Sequence, residues 1–311
     1  DALAEGLARR GLNALPVSYT ARVLLWNRSS FERAGVPLPR SWDELFASGA
    51  AFAGRLGPEH YPLDGELYDM MLLAQAWVEQ AVGTPYIAAA APRVAMSEAG
   101  AKLWVQTYRR LIDGHVATPL KLRASLGGAE KPTEQQTDWT VGRWAGNYTW
   151  DSVIALRAGT LRAGQVLAVG EWPMLAGAAR SGVFGRPALM LAVGRHSREP
   201  ALAAQLVGFL LTSPAAARVL GRTRGVPAAR TPFALLRDEG PWPALERQAW
   251  EQVAALREAG RIALPHPLFE HARLHRFMRE VFERVAYGKL SDDEAARRLV
   301  EQGDALLRRI A

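Results

Sequence analysis

The sequence predicts an α/β protein in which helices outnumber strands. Helix signals, in which a capping residue precedes an amphipathic stretch, recur along the 311 residues, whereas strand-like stretches are few, short and bounded by glycine or proline. A hydrophobic fraction of 49% can supply a substantial core, in one large domain or in two of ordinary size.

The first element is predicted to be a strand over Leu15 to Trp26, since Val, Tyr, Thr and Leu dominate this stretch. A helix is predicted to begin at Ser41, where the hydroxyl can accept a hydrogen bond from the Glu44 amide while Glu44 reaches back to the cap. A second capping box, Ser291 with Glu294, predicts the start of the last helix.

The other elements are predicted from the same signals. Helices are expected over Tyr68 to about Val82, Ser97 to Asp113, Glu199 to Thr212, Pro214 to Leu220, Trp242 to Ala259, His271 to Tyr287 and Ser291 to Arg309. Further strands are expected within "VGRWAGNYTW" (141–150), "QVLAVG" (165–170) and "PALMLAV" (187–193). Loops or lobe junctions are expected over Leu126 to Pro132 and Gly170 to Pro187.

Composition argues against several classes of function. Cysteine is absent, which excludes disulfides, thiolate catalysis and cysteine-ligated metals. The net charge is +7, but the cations are spread along the chain and interleaved with acids, so no nucleic-acid partner is predicted. The apolar runs are far shorter than the roughly 18 residues of a membrane span, which predicts a soluble globular protein.

No common catalytic or phosphate-binding motif is present: the sequence lacks G-x-G-x-x-G, G-x-x-x-x-G-K-[ST], G-x-S-x-G and H-E-x-x-H. His271 and His275 lie one helical turn apart without a clear third ligand, so a structural or surface role is predicted and no metal. Asp43 and Glu44 are interpreted as first-turn residues that favour a helix N-terminus. No cofactor and no catalysis are predicted, although carboxylates brought together in space stay an open alternative.

Several motifs, taken in order, resemble one family. The stretch "LPVSYTARVLLWNRSSFERAGVPLPRSWDELF" (15–46) resembles a strand that crosses between lobes, a Tyr/Trp-Asn, an F-x-x-A-G helix and an SWDE helix start. Three further stretches resemble its G-K-x-A strand, its return crossing and its terminal helix pair: "VGRWAGNYTWDSV" (141–153), "RPALMLAVGRHSREPALAAQLVGFLLTSPAAARVLGRTRGVP" (186–227) and "VAYGKLSDDEAARRLVEQGDALL" (285–307). Nearly end to end, the chain is similar to extracellular solute-binding proteins of bacterial ABC importers, in the carbohydrate-binding family that includes maltose- and oligogalacturonide-binding proteins.

The resemblance implies a two-lobed periplasmic-binding-protein fold (type II-like), helix-rich, with an incomplete first lobe. The family's opening strands have no counterpart before residue 1, which implies a fragment or a trimmed chain. The implied division is 1–20 as a remnant of the N-terminal lobe with the first crossing strand, 21–186 as the C-terminal lobe, 187–260 as the return crossing with an N-terminal-lobe segment, and 261–311 as C-terminal helices packing across the lobes. A periplasmic or extracellular monomer is implied, with a carbohydrate ligand and importer permease subunits as partners.

Sugar binding calls for flat aromatic side chains against the ring faces and for fixed donors and acceptors at the hydroxyls. By resemblance, Trp150 is expected to be the stacking platform, Asp151 a hydroxyl acceptor and Tyr148 their same-face neighbour. Tyr19 and Ser18 are expected at the cleft floor. For each aromatic residue the plain alternative is a place in the core.

Four more residues are expected to face the ligand. Tyr68 and Asp69 open a helix after a loop, with an exposed helix start as the equal alternative. Trp172 lies in the loop "GEWPML", which favours a surface or cleft position over core packing. Arg224 in "TRGVP" could hold a carboxylate through its planar guanidinium, which suggests an acidic oligosaccharide.

The sequence therefore predicts capture of a sugar or oligosaccharide in an interlobe cleft and its delivery to an ABC importer, without catalysis. A carbohydrate-active enzyme and a binder of a non-sugar solute with the same fold are the two alternatives.

Overall fold

One long strand organises the sheet. β1 (Leu15–Asn27) pairs antiparallel through its second half with β2 (Gly146–Trp150) and β3 (Leu167–Val169). Its first half pairs antiparallel with β4 (Gly185–Leu191) and β5 (Val226–Pro227). β1 thus runs from one set of strands into the other. The computed structural model describes residues 14–221, 225–239 and 242–311.

Helices surround this sheet and make the fold helix-rich α/β. They lie over Arg28–Ala34, Trp42–Leu56, Leu67–Val82, Glu98–Asp113, Leu120–Ser125, Thr137–Thr140, Ile154–Gly159, Pro200–Thr212, Pro214–Leu220, Arg230–Glu239, Ala244–Glu258, Ala272–Ala286, Asp292–Arg297 and Gly303–Ile310. The capping boxes at Ser41 and Ser291 are both formed, which confirms these two predictions. A π-helical turn, Arg298–Gln302, interrupts the last predicted helix.

The main core packs on the second half of β1. Its largest fully buried side chains include Trp26, Trp104, Trp139 and Trp144. Trp104 donates its indole N–H to the carbonyl oxygen of Met71 at 2.7 Å, so a buried polar group is satisfied by the neighbouring helix.

A buried polar network holds β2 in place. The side chains of Asp64 and Arg123 are both fully enclosed, and Arg123 Nη1 lies 2.6 Å from Asp64 Oδ2. Thr133 donates to the same carboxylate oxygen at 2.7 Å, and Asn147 of β2 donates to the Asp64 carbonyl oxygen at 2.9 Å. The strand that carries Trp150 is therefore fixed by hydrogen bonds that solvent does not reach.

The helix Pro200–Thr212 differs from the others because it has no charged residue and buries only Leu211. Leu202, Leu206 and Phe209 are each more than half exposed. Among the described residues, no single helix is long and apolar enough to cross a membrane; this helix passes that test only together with Pro214–Leu220, from which it is bent by 71°.

Candidate functional site

Trp150, at the end of β2, lies against two arginine side chains. Arg22 of β1 is its direct cross-strand partner and places its guanidinium carbon 4.4 Å from the indole centroid. Arg186 of β4 places its guanidinium carbon 4.9 Å from the same ring. Both contacts are in the range of cation–π attraction, so the half-buried indole is held by residues from both halves of the sheet.

Each arginine has a carboxylate partner. Arg22 Nη2 lies 2.7 Å from Asp69 Oδ1, and both side chains are mostly buried. Arg186 Nη1 lies 2.5 Å from Glu270 Oε1, in a pair that is about one-third exposed. Asp69 also accepts from the Glu66 backbone N–H at 3.3 Å, in the first turn of its helix. The alternative of an exposed helix start is therefore wrong for Asp69, which is 9% exposed.

A second aromatic pair borders these charges. The rings of Tyr68 and His275 lie 4.3 Å apart between centroids. Burial raises the pKa of Tyr68, with Glu270 adding to the effect. Burial, followed by the nearby Arg279, lowers the pKa of His275, so its imidazole is neutral at pH 7. Burial likewise raises the pKa of Glu66 to about 7, which makes this carboxyl group a possible donor as well as an acceptor.

An open cleft lies beside Asp151, the residue that follows Trp150; Trp150 itself is not among the residues that line it. Two cavities of about 590 and 540 Å³ lie side by side, since both are lined by Tyr19, Asp151, Val226 and Trp250. Ser18 lines the second cavity. Asp151 Oδ1 accepts hydrogen bonds from the Thr20 hydroxyl and, at 3.4 Å, from the Ala21 N–H, and burial raises the pKa of Asp151 to about 6. The cleft thus offers aromatic walls beside a carboxyl group.

Six of the nine residues predicted to contact the ligand form two groups in the structure, and the other three belong to neither group. Trp150, Tyr68 and Asp69 meet around Arg22, while Ser18, Tyr19 and Asp151 line the adjoining cleft. Tyr148 is fully buried, which is the core alternative given above. Arg224 lies outside the described residues.

The prediction of a surface or cleft position for Trp172 is wrong. Its side chain is 7% exposed, its indole N–H donates to the Ser181 carbonyl oxygen at 2.8 Å, and its ring contacts Trp42 edge-on. A loop position does not keep a tryptophan at the surface when a helix and a strand pack over the loop.

Sequence reasoning did not identify four members of the site: Arg22, Arg186, Glu270 and His275. Arg22 carried a usable signal, since it is the one charged residue in the 13-residue strand β1. His275 was noted only through its spacing from His271, whose ring instead accepts from the Arg273 N–H at the helix start. Among the described residues, no group of three His, Cys, Asp or Glu side chains could hold a metal ion.

β1 crosses between two sets of strands, and a cleft lined with aromatic and charged side chains lies beside it. Together these features define a binding protein of the two-lobed α/β class. The chain belongs to the bacterial extracellular solute-binding proteins, because the model of that family matches residues 2–217. Membership associates it with ABC transport and with a periplasmic or extracellular location.

Solved structures agree with this assignment. A periplasmic oligogalacturonide-binding protein from Yersinia enterocolitica, solved with saturated digalacturonic acid, is 30% identical with a TM-score of 0.85; the match covers 99% of this chain and 76% of that one. A periplasmic solute-binding protein from Pectobacterium atrosepticum is 27% identical with a TM-score of 0.85, over the same shares. An acarbose-bound receptor from Streptomyces glaucescens, 17% identical with a TM-score of 0.66 over 95% of this chain and 71% of that one, shares the fold.

Two other results complete the comparison. A search of curated protein sequences found no match. A de novo designed cysteine esterase matches at 29% identity with a TM-score of 0.86, over 99% of this chain and 78% of that one. The present chain contains no cysteine.

Proposed function

We propose that the protein binds a carbohydrate beside Trp150 and delivers it to an ABC importer without catalysing a reaction. The observation that carries the proposal is the indole of Trp150 in contact with two arginines that are themselves paired with carboxylates. A sugar ring can stack on the exposed part of the indole, and its hydroxyls can exchange hydrogen bonds with both signs of charge around it. Asp151, Ser18 and Tyr19 extend the same polar surface into the adjoining cleft.

We propose further that the preferred sugar is acidic. The Nε atoms of Arg22 and Arg186 are enclosed and have no hydrogen-bond partner among the described residues. A guanidinium with a free N–H can bind a carboxylate through charge-assisted hydrogen bonds, which a neutral hydroxyl matches only weakly. The Yersinia enterocolitica relative that was solved with digalacturonic acid supports the same ligand class.

Titration calorimetry with digalacturonate and with a neutral galactose disaccharide tests both parts. We expect tighter binding of the acid, and we expect Trp150→Ala to weaken it about tenfold or more, because an aromatic stacking face contributes roughly 1.5 kcal/mol or more. Tyr287→Ala is the control, since this aromatic residue is 36% exposed and has no part in the site.

The outcomes separate the two parts. Equal affinity for the two disaccharides would remove the acidic preference and leave carbohydrate binding in place. If the protein binds neither sugar and a different solute raises its melting temperature, the ligand is a non-sugar solute and not a carbohydrate. Release of a shortened saccharide on incubation would favour the enzyme alternative.

A further inference from the structure

A second cavity carries an excess of positive charge and shares no residue with the Trp150 site. This basic cavity has a volume of about 410 Å³. Six of the residues that line it are polar or charged: Arg33, His60, Thr137, Asp138, Arg143 and Arg162. Three arginines and one carboxylate residue, Asp138, therefore line a space open to solvent.

Within the described parts of the chain, carboxylates pair with one of these arginines. Arg143 Nη1 lies 3.1 Å from Asp138 and 3.7 Å from the exposed Glu59. Arg33 donates instead to two uncharged oxygens, Ser30 Oγ and the Gly142 carbonyl, each at 3.0 Å. Arg162 makes no side-chain hydrogen bond or ion pair with any described residue. Like charges this close repel one another, so an anion between them would be stabilised.

His60 adds an unsatisfied polar atom to the basic cavity. Its Nδ1 is enclosed and has no hydrogen-bond partner among the described residues. Burial, then Arg33, then Arg143, lower the pKa of His60, whereas Glu59 and the Gly57 backbone raise it. The ring is neutral at pH 7 and has one N–H donor to offer.

The backbone at the edge of the cavity is fixed before any ligand arrives. The N–H groups of Arg143 and Trp144 both donate to the Asp138 carbonyl oxygen, at 2.8 and 3.1 Å. Gly142 has φ +73°, and an added Cβ would lie 2.7 Å from Ser30 Oγ, so this turn requires glycine. Arg143 is thus presented by a closed turn, which lowers the ordering cost of binding.

We propose that the basic cavity binds a tetrahedral oxyanion of the phosphate type, held by Arg162, Arg33 and Arg143 with a hydrogen bond from His60. Guanidinium groups match the oxygens of a phosphoryl group in pairs, and three arginines line this cavity. The phosphoryl group could belong to free phosphate or to the head group of an anionic lipid. The proposal is independent of the sugar site, since the two share no side chain.

The first test follows the His60 ring by NMR while inorganic phosphate is added to the full chain at pH 7. We expect a saturable shift, and an upward move of the His60 pKa because a bound anion favours the imidazolium. Arg162→Gln should weaken phosphate binding about tenfold through loss of a charge-assisted hydrogen bond. Arg198→Gln is the matched control, because it removes one exposed arginine elsewhere on the surface and should leave the affinity unchanged.

The second test distinguishes the source of the anion. A lipid head group would be assigned if the protein sediments with phosphatidylglycerol vesicles but not with phosphatidylcholine vesicles. This sedimentation should be lost in Arg162→Gln and kept in Arg198→Gln. Saturable phosphate binding without sedimentation would assign a soluble anion. Failure of both, or equal weakening by the two arginine variants, would overturn the proposal, since general charge would then account for any attraction.

Discussion

Removing the Asp69 carboxylate tests whether the ion pair next to Trp150 has a structural role. Asp69→Ala would leave the Arg22 guanidinium without a counter-charge in a position where its side chain is 7% exposed. Breaking a buried ion pair costs about 3–5 kcal/mol of unfolding free energy. We expect about 3 kcal/mol, because Arg22 keeps its hydrogen bond to the Tyr148 carbonyl oxygen and its contact with the Trp150 ring. For a protein of this size the melting temperature should fall by roughly 5 °C. Urea unfolding followed by circular dichroism, with calorimetry alongside, measures both quantities.

An exposed ion pair of the same length provides the control. Lys102 Nζ and Asp293 Oδ1 are also 2.7 Å apart, but their side chains are 40% and 65% exposed. Asp293→Ala should cost far less than Asp69→Ala, because solvent screens the charges. The double substitution Arg22→Met with Asp69→Leu should recover most of the stability lost in Asp69→Ala. Equal losses in the two single variants would refute the argument from burial.

Three further effects are expected on stability. Gly185→Ala would place a Cβ 2.1 Å from the Tyr19 hydroxyl oxygen. The variant should lose about 1–3 kcal/mol of unfolding free energy, measured by urea unfolding. A loss near zero would contradict this packing. Ser41→Ala removes the cap of the helix Trp42–Leu56 and should cost about 1 kcal/mol by the same measurement, and an unchanged midpoint would argue that the cap is dispensable. Burial raises the pKa of Asp151 from 3.8 to about 6, so between these values the folded protein keeps a proton that the unfolded chain has lost. The unfolding free energy should therefore fall as the pH rises through this window, and Asp151→Asn should lose that dependence; parallel pH profiles for wild type and variant would count against it.

The sequence was most informative where the signal is local. A capping serine and a glutamate three residues later interact within one turn, so the starts at Ser41 and Ser291 were predicted to the residue. The helices Thr137–Thr140 and Ile154–Gly159 were not predicted, because four to six residues are too few to display a helical period. β5 has only two residues and is defined by its pairing with β1, so it is too short to show a strand pattern in the sequence.

Local signals in the sequence are sufficient for the helix-rich α/β class, for the starts of the capped helices and, through the motifs, for the family, and they predict a stacking role for Trp150. The surroundings of that ring depend on tertiary contacts. Arg22, Arg186 and Asp69 come from a strand, a second strand and a helix that are far apart in the chain, and their charges meet only when β1 pairs with both sets of strands. The burial of Trp172 was likewise not predictable from its loop position, because burial depends on which elements pack over a loop. Hydrogen bonds within one turn are set by neighbours in sequence, whereas burial and ion pairing are set by neighbours in space.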